Sequence, residues 1–526
     1  MQREGSRIAA RRSTGVSLPG MLAAVTIAAT ATLTGPAAAA SGAAPAGAGP
    51  ATANGIGAAA PNAVPSLEAG FTNPPAAARP RVWWHWMNGN VTIEGIRLDL
   101  EWMHRIGIGG LQNFDAALFT PKLVEQPLAY MTPAWQRAFR YTTTLADRFG
   151  MELAIAGSPG WSESGGSWIR PEQAMKKLVW TETRIAGGTP FVGTLAPPPS
   201  ETGPFQNVPN VYGDMFTPKP VEVVDHFYRD VAVIGYRLPD VDRAAAELHA
   251  SVTSSAGPLD AGPLTDGDLT HGIDMPFTDA SPPAWILFQY PGPQTVQSIT
   301  IALPGSGGIA ILGGPPRNVA ELQSSDDGVA FHPVLTIFTT PEAQSTLSFA
   351  PVTARYFRLV LLNPPPQAVP ELLRGIMPPG APATHQMVAE LVLHAAPRLE
   401  HFEEKAAYYV GDGLDRPAQA AVAAGEAIDP ATIVDLTSRL REDGSFQWTP
   451  PLGRWGVLRL GFSLLGVANH PASPEATGLE VDKLSRADVR FHMDTYLGKY
   501  AAFLGAPLMG RHGLAAMVND SWEAGA

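Results

Sequence analysis

The sequence predicts a mixed α/β and all-β fold: the first part of a (β/α)8 TIM-type barrel, interrupted by inserted β modules. Three observations carry this. Strand-like apolar runs alternate with helical periodicity from residue 81 to about 177; beyond about 186 the pattern turns to period-2 runs broken by Pro and Gly; and around Asp482 helix-then-strand order returns. Strands separated by helices pair in parallel, because parallel neighbours need a crossover. No Gly-rich phosphate fingerprint follows the first strand. The strand ends carry Trp, His, Asn, Asp and Glu instead, which favours a barrel mouth over a nucleotide crevice.

At 526 residues the chain is long enough for several folded units. Arg3, Arg7, Arg11 and Arg12 precede the apolar run from Met21 to Leu33, and small residues follow at 37–40. Residues 1–40 therefore read as an export signal, with a secreted or periplasmic location expected. The run is too short and too rich in Ala and Thr to span a membrane, so no transmembrane segment is expected. Residues 41–70 read as a disordered Ala/Gly/Pro linker. A net charge of -12 opposes nucleic acid, whose recognition needs a basic footprint, and leaves a neutral or weakly charged partner. Cysteine is absent, so core size or a bound metal must supply what disulfides would.

The first strand is Val82-Trp83-Trp84-His85-Trp86, broken at Asn88-Gly89-Asn90. Thr92 then caps a helix whose Ile96, Leu100 and Met103 share a face, and Gly107 to Gly110 ends it. The second strand runs from Gly110 to Asp115, followed by a helix with Thr132 as cap, Pro133 in its first turn, and Trp135 and Phe139 one turn apart. The third strand, Glu152 to Ala156, enters a Gly/Pro-framed loop, and Pro171 is expected to open a helix through Lys177. Near the other end, Val489, Met493, Tyr496 and Tyr500 mark a helix face, and Leu514 to Val518 reads as a fourth barrel strand. The barrel thus takes residues 71–186 and 475–526, with a β-sandwich expected from 187–254 and 397–474.

Residues 255–396 form a further expected module. Its Thr265-Asp266-Gly267-Asp268 turn, Ala284-to-Phe288 strand, Ala320-to-Gly328 segment and late Arg355-Tyr356-Phe357-Arg358-Leu359 strand resemble discoidin-like, galactose-binding-type jelly rolls.

In barrels the reacting groups sit where strands end, which selects the candidates. Glu523, in Asp520-Ser521-Trp522-Glu523, lies just past a hydrophobic strand, where a carboxyl group could protonate a leaving glycosidic oxygen. A rim carboxylate paired with Arg is the structural alternative. Glu163 and Trp161, in Ser158-Pro159-Gly160-Trp161-Ser162-Glu163, sit in a loop that turns sharply, and Trp161 offers an apolar wall. His85, Trp86 and Asn88 at the first tip, and Asn113 and Asp115 at the second, can bind hydroxyls or supply ligands to a hard cation. Each alone reads as structural; their convergence argues for a site. Trp83 and Trp84 face opposite ways, so at least one is core. Gly478-Leu479-Glu480-Val481-Asp482-Lys483-Leu484 brings two acids and a Lys together near the re-entry to the barrel, and a charged helix start with acids in its first turn is the strong structural alternative. No His-Glu-x-x-His or Gly-x-Ser-x-Gly motif occurs, which argues against zinc and serine-nucleophile chemistry.

RVWWHWMNGN at 81–90, DLEWMHRIGIGGLQNFD at 99–115, LAIAGSPGWSESGG at 153–166, GLEVDKLS at 478–485 and DSWEAG at 520–525 together resemble glycoside hydrolase family 106, the α-L-rhamnosidases. The resemblance spans nearly all of the chain after the linker. It implies release of terminal α-L-rhamnosyl residues from plant-type glycans or glycosides, inversion at the anomeric carbon, dependence on calcium, and a carbohydrate partner. By its place in DSWEAG, Glu523 resembles the family's catalytic carboxylate, as general acid, with Asp520 and Trp522 beside it. The partner base is expected beyond Ala526, since about four of eight barrel strands are read and the chain is taken as truncated. His85, Asn88, Asp115 and Glu163 stay open as calcium ligands. A catalytically incomplete, secreted carbohydrate-binding protein is the alternative reading; another deoxy or neutral sugar is a third.

Overall fold

A computed structural model describes residues 67–519 apart from 119, 210–225, 278–282, 306–315, 341, 366–381, 409–418, 420 and 421. The expected export signal, most of the linker, and Asp520, Trp522 and Glu523 lie outside the described residues. The described part is mixed α/β and rich in sheet.

Three strands, β1 (Arg81–Met87), β2 (Gly110–Ala116) and β3 (Glu152–Ala156), and a last strand, Leu514–Val518, form one parallel sheet in that spatial order. The helices between them start where their caps predict. Thr92 accepts a hydrogen bond from Gly95 N, and Thr132 from Trp135 N with Pro133 following, which satisfies backbone donors that the helix itself leaves open. Ile96, Leu100 and Met103 are buried, as are Trp135 and Phe139. These side chains pack with Trp86, Tyr496 and Tyr500 into one aromatic core between sheet and helices. Each fully buried apolar side chain of this size contributes about 1.5–3 kcal/mol.

The helix expected from Pro171 through Lys177 does not form. Pro171–Gln173 makes one 3-10 turn, and β4 (Lys176–Ala186) then runs as a strand. Its alternating, β-branched sequence KKLVWTETRIA pairs along its whole length with Arg454–Leu464, from Lys176 opposite Leu464 to Ala186 opposite Arg454. A partner nearly three hundred residues away outweighs local helix preference. This antiparallel sheet continues through Arg229–Arg237 to Val434–Asp435, and Phe191–Thr194 pairs with Ser445–Trp448.

The inserted stretch has its own sheet and core. Trp285–Ala302 lies between Ser345–Leu361 and both Ser251–Ser254 and Glu390–His394, and Asn318–Ser325 joins Ser345–Leu361 to His332–Phe338. Where the chain leaves the host sheet and where it returns, one carboxylate ties both ends: buried Asp242 accepts from Arg398 (2.9 Å) and from Arg184 of β4 (3.3 Å). The helix before the last strand spans Arg486–Leu504 and buries His492, Tyr496, Tyr500 and Leu504. Val489 and Met493, expected on that face, are half-buried; the face centres on the line from His492 to Leu504 instead.

Candidate active site

Strand alternation sorts the predicted residues into two groups. In the parallel register His85 lies beside Phe114, while Trp84 lies beside Asn113 and Trp86 beside Asp115. His85 stacks on Phe114 with ring centroids 5.1 Å apart, and Trp161 Nε1 donates to its Nε2 at 3.0 Å. An indole N–H only donates, so His85 is neutral with its proton on Nδ1, and burial lowers its pKa in the same sense. His85 and Trp161, from β1 and the β3 loop, are thus brought together.

Trp86, Asn113 and Asp115 alternate to the strand face opposite His85, and Asn88, beyond the paired residues, is engaged with the loop after β2. Trp86 is 1% exposed, its indole edge-on to Trp135 and Phe139, and presents no surface to a ligand. Asp115 is buried and accepts from Trp135 Nε1 at 2.7 Å. Burial, helped by the charge of Glu475 and opposed by that hydrogen bond, raises its pKa to about 7. Asn113 is buried and donates to Trp84 O at 3.4 Å. Asn88 spends its whole amide on the following loop: Oδ1 accepts from Leu118 N, and Nδ2 donates to Leu118 O and Thr120 O. All four brace the scaffold. Parallel strands are buried on both faces, so composition alone does not say which alternate residues meet helices.

Glu163 is neither exposed nor alone. Its Oε1 lies 2.7 Å from Lys483 Nζ, which also lies 2.7 Å from Glu480 Oε2; Ser164 Oγ donates to that same Glu480 oxygen. All three charged side chains are buried. Burial raises the Glu480 pKa against the attraction of Lys483. The segment read as a charged helix start is therefore mostly interior: only Asp482 behaves as expected, accepting from Leu484 N.

The loop after β3 is pinned by the same distant segment. Gly160 N donates to Asp115 O, Trp161 N and Ser162 N to His470 O, and His470 N to Ser162 Oγ. Asn469 donates to Pro159 O and accepts from Gly478 N. At Gly160, with φ +89°, a Cβ would come within 2.7 Å of the His470 backbone, so glycine is required. The last strand closes the set: Gly157 N donates to Val518 O at 3.0 Å, and a Cβ on Gly157 would overlap Asn519 Oδ1 and the Glu163 carbonyl oxygen. Asn519, immediately before the Asp-Ser-Trp-Glu motif, thus lies against the Glu163 loop. Asn469, His470 and His492 escaped the sequence reading, and Glu480 and Lys483 entered it only within the charged segment before the helix. Only GLEVDKLS carried a visible signal.

Calcium takes six to eight oxygen ligands. The four side chains considered for it do not fit. Asn88 Oδ1 is used by Leu118 N, Asp115 accepts an indole N–H in the aromatic core, His85 offers nitrogen, and Glu163 is paired with an ammonium. The buried Glu480 Oε1 has no hydrogen-bond partner among the described residues, but one such oxygen beside Lys483 falls far short of a cradle.

The family model of glycoside hydrolase family 106, described as alpha-L-rhamnosidase, matches residues 72–526. A solved rhamnosidase structure from Novosphingobium sp. PP1Y is similar with a TM-score of 0.72 and 41% identity, over 88% of this chain and 40% of that one. A protein of Formosa agariphila, provisionally named a beta-glucuronidase, is 35% identical over 176 residues, which are 34% of this chain and 13% of its own length. The chain therefore spans less than half the length of either relative.

Proposed function

The chain belongs to glycoside hydrolase family 106, a family of α-L-rhamnosidases, and from that membership we propose that it serves to hydrolyse terminal α-L-rhamnosyl residues of plant-type glycans or glycosides. The carrying observation is the 41% identity to a rhamnosidase over 88% of the chain. In the proposed mechanism Glu523 protonates the leaving glycosidic oxygen, and a second carboxylate activates water on the opposite face of the sugar. Inversion sets these groups roughly 6.5–9.5 Å apart. Trp161 and His85 supply a half-buried wall for the sugar ring, and Asn519, the residue before the Asp-Ser-Trp-Glu motif in sequence, lies against the Glu163 loop.

A barrel is the proposed frame. Its support is the winding of the parallel sheet: β1, β2, β3 and Leu514–Val518 neighbour one another in chain order, without the reversal of a doubly wound sheet. Export through residues 1–40 is proposed with it. None of the described helices is long and apolar enough to cross a membrane. Calcium is proposed for the family activity only; no step above passes through it.

The test is a panel of aryl glycosides with the full-length protein. Release from an α-L-rhamnoside but not a fucoside is expected; the reverse overturns the substrate. Glu523→Gln is expected to lower turnover on an unactivated substrate by about 10²–10⁴, and wild-type turnover would remove its role. Binding of a rhamnose-terminated glycan with no release would favour the carbohydrate-binding alternative.

A further inference from the structure

His492 is completely buried, and both its nitrogens are committed. Nε2 lies 3.0 Å from Gly157 O, and Nδ1 lies 3.3 Å from Trp168 Nε1. A carbonyl oxygen only accepts and an indole N–H only donates, so the ring is neutral with its proton on Nε2, donating to Gly157 O. The imidazole, Trp168 and Tyr496 lie together with near-parallel rings, each pair of centroids 5.8 Å apart, at interplanar angles of 19° and 10° to the imidazole. Its orientation is therefore fixed by two hydrogen bonds and two rings.

Its target is Gly157, the residue just past the end of β3. Gly157 is held by its N–H to Val518 O, and the space a side chain would take is filled by Asn519 Oδ1 and Glu163 O. The carbonyl of Gly157 is the remaining free handle on this residue, and His492 takes it from the helix side. We propose that His492 is a positioning residue for the candidate active site: through the Gly157 carbonyl it sets the spacing between the Glu163 loop and Asn519, at the head of the Asp-Ser-Trp-Glu motif. The inference rests on the glycosidase reading for its functional part, and on hydrogen bonding alone for its structural part.

Two substitutions in the full-length protein separate this role from simple packing. His492→Phe keeps a stacked ring and loses the donor. His492→Gln loses the ring and keeps an N–H that reaches the same carbonyl. Hydrogen exchange at the loop amides of Gly160, Trp161 and Ser162 is measured alongside kcat and KM on an aryl α-L-rhamnoside. The Phe variant is expected to exchange faster there and to lose about tenfold or more in kcat with KM changed less than about twofold, since sub-ångström misplacement of reacting groups acts on turnover. The Gln variant is expected to recover wild-type exchange and kcat to within about threefold. Equal behaviour of Phe and Gln, or loss that follows melting temperature alone, overturns the proposal. If wild type releases no rhamnose, the glycosidase reading falls and exchange alone decides: faster in Phe and restored in Gln supports positioning, no difference overturns it. If the Phe variant does not fold, Trp168→Phe replaces it, keeping the stack and removing the donor to Nδ1; unchanged loop exchange there overturns the proposal.

Discussion

Two buried carboxyl sites close to the same strand ends are made tolerable in opposite ways. Glu163 and Glu480 share Lys483, so negative charge is kept inside the protein by a cation 2.7 Å from each. Asp115 meets no cation among the described residues; one indole N–H donates to it, and its pKa rises to about 7. The first arrangement joins segments about 320 residues apart into a charged node beside the β3 loop. The second hides a polar group in an aromatic core. An acid at a strand end is thus held by a buried cation or by a neutral donor according to what faces it.

The largest effect is expected on removing the shared cation. Lys483→Met takes the shared cation from two buried carboxylates, at a cost of about 3–5 kcal/mol, read as a fall in denaturation midpoint. The triple variant Lys483→Met with Glu163→Gln and Glu480→Gln should regain most of it. A single variant as stable as wild type would break the comparison.

Next comes Asp115, where the sign is set by proton binding. With a folded pKa of about 7 against 3.8 in an unfolded chain, the native state holds a proton that the unfolded state has lost between those values. Its contribution to stability therefore falls as pH rises from about 4 to about 7 and levels off above. Asp115→Asn keeps an acceptor for Trp135 and carries no charge. It should flatten that slope and stabilise the protein at pH 8 by about 2–4 kcal/mol, measured by urea denaturation at both ends of the window. An unchanged slope would mean that Asp115 stays ionised. The smallest effect sharpens the contrast with a neutral group: Asn88→Ala removes three hydrogen bonds to the 118–120 loop and should cost roughly 1–3 kcal/mol with no pH dependence.

Much of this is legible in the sequence. Thr92, Thr132 and Pro133 mark helix starts through backbone chemistry that is local, and β1, β2, β3 and Leu514–Val518 stand out as apolar runs between Gly-rich breaks. What stayed hidden depends on distant partners. KKLVWTETRIA becomes a strand because Arg454–Leu464 lies beside it. Lys483 reads as a helix-start charge until Glu163 is folded against it, and His492, not among the residues expected on the helix face, is its buried centre. The assignment of Trp86 and Asp115 to the scaffold turns on a parity that a strand buried on both sides does not display.

Asp242 carries a consequence for how the chain could have acquired its long excursion. Since Arg184 and Arg398 meet on this one carboxylate, the outgoing and returning backbones are fastened at a common base. The host sheet then has no need of the excursion's own contents to keep its margins together, and closing a longer or shorter detour changes the entropy only logarithmically. A stapled base of this kind makes the interior of the detour exchangeable as a cassette while the surrounding framework keeps its register.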